Sequence, residues 1–289
     1  MDFKNYLVPG KTGLLIGIGG VSMSPLAEVL HDAGLDIRGS DMAESSNTLT
    51  LRERGIPIHI GHSADNVTDD ISFVIRTAAV HDDNPEVHEA HRRGIPVFER
   101  TQAWGALMRG YQNALCISGT HGKTTTTSMC THIMMAAEKD PTVMIGGTLP
   151  LLKACHRVGK GNTIIMESCE YYNSFLALNP TIAVVLNIEA DHLDFFKDLE
   201  DIKHSFRCFA ERVPAETGTV IANYDDANTM DALRGIARKV ITFGLNAKAD
   251  VYAQNIVHRG SVSEFDIYHR GNYFAVSYTH LTLPTKLEV

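Results

Sequence analysis

Three stretches of the chain hold residues whose types and spacing could do chemistry. In "SGTHGKTTTT", residues 118–127, Gly119 and Gly122 would let the backbone wrap an anion. Lys123 would bring a mobile positive charge to the β and γ phosphates of a nucleotide, and Thr124 a hydroxyl to Mg²⁺. The usual phosphate loop has a glycine where this chain has Ile117, and a chance run of small residues ahead of a helix is the bland alternative. The setting favours a working loop: "ALCIS" reads as a buried strand before it and a helix follows. Four consecutive threonines form helix poorly, so their hydroxyls are expected to matter at the anion-facing end.

The second stretch is "MESCEYYNSF" with "NIEADHLDFF". Glu167 ends one expected strand, and Asp191 and His192 follow another, so they can converge at the carboxyl edge of a parallel sheet. A carboxylate and an imidazole beside phosphates suit a divalent cation. Glu170, Glu189 and Asp194 fit either as further ligands or as caps and turn residues. The third stretch is "GIGGVSMS", where Gly17, Gly19 and Gly20 occupy the turn between the first strand and first helix. Such a turn lets backbone N–H groups approach a pyrophosphate. Ser22 stands where a dinucleotide fingerprint needs its third glycine, which argues against a nicotinamide oxidoreductase. Asp41, ending "RGSD", could accept from a ribose hydroxyl; a structural turn and a surface acid account for the same residues.

The elements that must position these residues alternate as βαβ. Apolar runs at "GLLIGI", "DIRGS", "PIHI", "SFVIR" and "GIPVF" are separated by helical patterns near 25–33, 47–54 and 85–93, and 100–108 reads as a connecting helix. A Rossmann-like domain over residues 1–111 is expected, then a phosphate-loop domain over 112–276. The latter has strands at "ALCIS", "TIIME", "TIAVVLN", "GTVIAN" and "KVITFG" and helices near 123–137, 198–212 and 226–236. After Ala249 the pattern turns to period two, which predicts a small antiparallel sheet with a turn at 270–272. "SYTHLTLPTKLEV", residues 277–289, breaks that pattern and reads as a non-native tail.

Composition narrows the class. The chain has 289 residues, 44% of them hydrophobic and 21% charged, an ordinary globular balance with room for two domains. The net charge of −8 comes without a basic block, so no nucleic-acid partner is expected. No apolar run reaches the roughly 20 residues of a membrane helix. The N-terminus reads as a mature cytoplasmic start. Five cysteines without a C-x-x-C pair suggest a reducing compartment, each thiol a small buried hydrophobe.

Together, "GIGGVSMSPLAEVL", "SGTHGKTTTTSM" and "NIEADHLDFF" resemble the Mur ligases, whose phosphate loop is shortened in this same way. The resemblance runs from Gly13 to Phe243. It implies ATP-dependent amide formation in peptidoglycan synthesis, with UDP-N-acetylmuramate activated as an acyl phosphate and attacked by L-alanine. By the family pattern Gly119, Thr120, His121, Gly122, Lys123, Thr124 and Thr125 hold the ATP phosphates. Thr124 and Glu167 bind Mg²⁺, His192 binds a second metal, and Asn223 lies near the nucleotide. Gly17, Gly19, Gly20, Asp41, His62 and Thr77 would hold the UDP-sugar. Tyr171 and Tyr172 depart from the family's acidic "ADESD"-like stretch, while Glu167 and Glu170 keep its spacing. The family's third, closing domain has no counterpart in the sequence, so weak ligand binding without turnover is expected of this chain. A ligase that attaches a preformed peptide to the same UDP-sugar acid, and a non-catalytic nucleotide-binding module, remain the alternatives.

Overall fold

The computed structural model describes residues 2–77, 79–259 and 262–280. The chain divides into two compact units. One comprises Met1–Ala114 with Thr131–Ile165 and Ala177–Asn179, the other Leu115–Cys130 with Met166–Leu176 and the chain from Pro180 onward.

The chain begins β1 (Thr12–Ile16), α1 (Ser24–Asp32), β2 (Asp36–Asp41), α2 (Ser46–Glu53), β3 (Ile58–Ile60), β4 (Ile71–Arg76), α3 (Pro85–Arg92), β5 (Val97–Glu99) and α4 (Arg100–Met108). The five strands form a sheet in the order β3-β2-β1-β4-β5 with every pair parallel. All five residues of β1 are buried, as a parallel strand covered on both faces requires. Leu14 and Ile16 belong to one apolar cluster with Ile71, Val74 and Val87. The helices start where local chemistry dictates: Ser45 and Thr48 form a capping box on α2, and Asn84 caps α3 ahead of Pro85. The chain passes from β1 to β2 on one side and later to β4 on the other. That switch point opens a crevice at the carboxyl edge of the sheet.

Next come β6 (Asn113–Ser118), α5 (Lys123–Ala136), β7 (Thr142–Leu149), β8 (Ala154–Arg157), β9 (Thr163–Glu167), β10 (Ile182–Val185), α6 (Leu199–Ala210), β11 (Thr219–Asn223), α7 (Ala227–Ala232) and β12 (Lys239–Gly244). β13 (Val251–Arg259), β14 (Val262–His269) and β15 (Asn272–His280) follow. This sheet is mixed, in the order β15-β14-β13-β12-β11-β10-β6-β9-β7-β8. β6, β10, β11, β12 and β13 run parallel, and β13, β14 and β15 are antiparallel. The expected α/β class and the antiparallel strands are both present.

Several details differ from the sequence reading. The antiparallel pair β7 and β8 has no counterpart in it, because Gly146, Gly147 and Pro150 interrupt the alternation; the pair itself is irregular between Met144 and Leu149. α7 ends at Ala232 instead of continuing to residue 236, and Gly235 takes a φ of 68° in the turn that follows. β15 runs to His280, four residues beyond the expected stop, since Ser277–His280 keep pairing with β14; residues 281–289 lie outside the described residues. Of the five free cysteines only Cys116 is buried, its thiol pushed up to about 12 by burial, whereas Cys169 is exposed.

Candidate active site

β6 delivers the loop at 119–122 from a strand buried over its last five residues, and Ser118 Oγ donates to Val184 O of β10 at 2.6 Å. Gly119 has a φ of 147°, and a Cβ there would lie 2.9 Å from Leu186 Cβ, so only glycine fits. The segment after β10 braces the loop. Thr120 N donates to Asn187 O at 3.0 Å, and Thr120 Oγ1 accepts from Glu189 N at 2.9 Å. The Asn187 amide grips His121 on both sides, accepting from its N–H at 2.7 Å and donating to its carbonyl at 3.0 Å. The sequence does not mark Asn187, since a strand-end asparagine carries no signal of its partner. His121 itself is exposed, with Nε2 3.6 Å from the Glu189 carboxylate.

α5 starts at the next residue. Lys123 Nζ donates to Gly119 O at 2.6 Å, to Thr120 O at 3.1 Å and to both Glu170 oxygens at 3.0 and 3.2 Å. The Glu170 side chain is only 2% exposed, and its sequence context leaves this role open. Thr124 Oγ1 donates to Glu167 Oε1 at 2.9 Å, so the two expected magnesium ligands are adjacent. Thr125 is half-buried in the same turn. Thr127 turns back to Lys123 O at 2.8 Å, so not every threonine hydroxyl of the run faces the loop.

His192 has a φ of 51°, fixed in part by its N–H donating to Asp191 Oδ1 at 2.7 Å. Its Nε2 lies 3.9 Å from Glu170 Oε1 and 4.0 Å from Asp191 Oδ2. One ligand atom from each of Glu170, Asp191 and His192 falls within 4.8 Å of the others. Thr124 and Glu167 offer hard oxygen donors that fit Mg²⁺, and the two carboxylates with the borderline imidazole of His192 make a second set that fits a divalent cation such as Mn²⁺. The ammonium of Lys123 is the cation that holds the Glu170 carboxylate in this structure. Asp194 accepts from the Tyr171 hydroxyl. The Asn223 amide is taken up by backbone, donating to Leu186 O and accepting from Asp225 N, each at 3.0 Å.

At the carboxyl edge of the five-stranded sheet, Gly17, Gly19, Gly20, Asp41, His62 and Thr77 all line one cavity of about 740 Å³. Every candidate named for the UDP-sugar therefore faces the same space. Their hydrogen bonding differs from the expectation of free amides. Gly17 N donates to Ser40 O at 2.8 Å, Gly20 N to Gly17 O at 3.1 Å and Gly19 N to Asp41 Oδ2 at 2.8 Å. The glycines supply an uncovered wall, and Asp41 pins the turn. Beneath the cavity Glu86, fully buried, accepts from Ser40 Oγ at 2.7 Å and Asn66 Nδ2 at 2.6 Å, and lies 2.8 Å from His62 Nδ1. This support for His62 is not legible in the sequence, because its members lie far apart along the chain.

The family described as Mur ligase middle domain matches residues 117–284, and that described as Mur ligase family, catalytic domain matches residues 15–112. The chain is 47% identical over 243 residues to a UDP-N-acetylmuramate–L-alanine ligase of Agathobacter rectalis, covering 84% of this chain and 53% of that protein. It is 45% identical over 256 residues to the protein of the same name from Caldicellulosiruptor saccharolyticus, covering 89% and 56%. The crystal structure of UDP-N-acetylmuramate-alanine ligase from Thermotoga maritima superposes with a TM-score of 0.76 at 28% identity, over 93% of this chain and 60% of that one. The chain spans about half the length of the curated relatives it matches.

Proposed function

The chain belongs to the Mur ligase family, and on that premise we propose that it is the UDP-sugar-binding and ATP-binding part of a UDP-N-acetylmuramate L-alanine ligase. In this reading residues 1–111 hold UDP-N-acetylmuramate and residues 112–276 hold ATP. The γ-phosphoryl group passes to the sugar-acid carboxylate, the amine of L-alanine attacks the acyl phosphate, and ADP and phosphate leave. Activation is required because a carboxylate is a poor electrophile. The product serves peptidoglycan synthesis, and through it cell shape and division, in the cytoplasm.

The observation that carries this reading is the start of α5, which sets Lys123 against Glu170 and Thr124 against Glu167 on one phosphate loop. Gly119, Thr120, His121, Gly122 and Thr125 shape the cradle, and Lys123 holds the β and γ phosphates. Thr124 and Glu167 hold one Mg²⁺, and His192, with Glu170 and Asp191, a second. When bound, the metal neutralises charge on the transferring phosphoryl group. Asn223 keeps the loop after β10 in place for the nucleotide. Gly17, Gly19 and Gly20 admit the pyrophosphate of the UDP-sugar to close range, with Asp41, His62 and Thr77 around it. Among the described residues no helix is long and apolar enough to cross a membrane.

Calorimetric titration of the chain with Mg²⁺-ATP and, separately, with UDP-N-acetylmuramate tests the assignment. Lys123→Ala should remove ATP binding and leave the UDP-sugar bound, and Asp41→Ala should do the reverse. ATP binding unchanged in Lys123→Ala rules this loop out as the ATP site.

A further inference from the structure

Tyr171 directly follows Glu170 in the chain, and the structure places it beside His192. Its ring stacks on the His192 imidazole with centroids 4.3 Å apart and planes at 24°. Its hydroxyl donates to Asp194, two residues beyond His192. The Tyr172 ring lies tilted against Tyr171 at 4.3 Å, and Phe195 packs on Tyr172 at 4.8 Å.

Two features separate this arrangement from ordinary core packing. Tyr172 is 66% exposed and Phe195 36% exposed, so the cluster lies on the surface and buries little. The backbone bends to build it: Tyr172, Asn173 and His192 take φ of 52°, 55° and 51°, a region that residues with a Cβ seldom adopt. Asn173 is held there by the Ser205 hydroxyl. Strained backbone that survives around a titratable ring is characteristic of positions with a functional constraint.

We propose that Tyr171 is a positioning residue that fixes the plane of the His192 imidazole, so that Nε2 faces the cation site shared with Glu170 and Asp191. The inference rests on the reading of His192 as a metal ligand. A ring free to rotate loses rotamer entropy when it ligates, whereas one clamped by a stack and anchored through Asp194 has lost it already. Partners outside the coordination sphere commonly change metal affinity by about 10- to 100-fold.

The test uses Mn²⁺ alone, titrated into the 289-residue chain by loss of its free electron-spin signal, with the His192 ring proton followed by NMR. That resonance is assigned by its disappearance in His192→Gln. The wild-type resonance should lie upfield, under the Tyr171 ring, and broaden first on adding Mn²⁺. Tyr171→Leu should move it downfield and weaken Mn²⁺ binding about tenfold, while Tyr171→Phe keeps the upfield position and loses less affinity. Should Tyr171→Leu fail to fold, the Tyr171→Phe spectrum decides, and loss of the upfield position there overturns the inference. Binding that His192→Gln weakens and Tyr171→Leu leaves unchanged overturns the inference alone. Binding unaffected by His192→Gln overturns the metal reading and this inference with it.

Discussion

Lys123 Nζ lies 3.0 Å from Oε2 and 3.2 Å from Oε1 of Glu170, whose side chain is 2% exposed. The carboxylate is too deep to be solvated, so this ammonium is its compensation. Removing one partner of such a pair leaves an unpaired charge in low dielectric. Lys123→Ala should therefore destabilise the chain by about 3 kcal/mol. Adding Glu170→Gln should restore most of that loss, measured by urea unfolding. Equal losses in the single and double variants contradict the pairing.

Gly119→Ala tests the shape of the loop separately from its charge. The added Cβ would meet Leu186 Cβ at 2.9 Å and Asn187 N at 3.2 Å, on a backbone whose φ of 147° disfavours alanine. A loss of about 1–3 kcal/mol is expected, together with loss of ATP binding by calorimetry. Wild-type affinity in this variant shows that the loop tolerates displacement.

His156 sets a pH dependence. Burial works against its charged ring, but Cys155, 3.8 Å from Nδ1, and Glu28, 3.5 Å from Nε2, outweigh it and lift the group from 6.5 to about 9. A pKa raised in the folded state gives stability that is fully present below the unfolded value and is lost as pH rises through the folded one. The urea midpoint of the wild type should exceed that of His156→Gln near pH 6, and the gap should close by about pH 9.5. A gap independent of pH rejects the assignment.

The cavity of the five-stranded sheet has its own test. Glu86 is fully buried beneath His62, Ser40 and Asn66. Glu86→Ala strands those donors and should lower stability by about 2 kcal/mol or more, weakening UDP-N-acetylmuramate binding as His62 is released. His62→Ala should also weaken binding, and because it takes one partner from the buried Glu86 carboxylate it should lower stability as well, by about 1 kcal/mol. Thermal unfolding and calorimetry on the same samples separate the two effects.

Much of the fold is legible in the sequence because it rests on local patterns. The continuous apolar run of β1, the capped starts of α2 and α3, and the small-residue loop before α5 are all signals a few residues long. β7 and β8 are hidden for the converse reason: glycines and a proline break their alternation, and long-range pairing alone defines them. In the site, Lys123, Thr124, Glu167 and His192 stand out by type and spacing. Glu170 is picked out only as an acid that could ligate or cap, and Asn187 not at all, since burial and long-range partners leave no trace in nearby sequence. The glycine turn is recognisable, but its amides are bonded within the turn and to Ser40 and Asp41.

Ligase activity that depends on L-alanine is the central claim, and phosphate release measures it most directly. The assay should contain UDP-N-acetylmuramate, Mg²⁺ and ATP, using the chain extended to the length of its curated relatives. Release that requires L-alanine and disappears in Lys123→Ala is the expected result. Turnover that ignores L-alanine, or that requires a preformed peptide in its place, would contradict it.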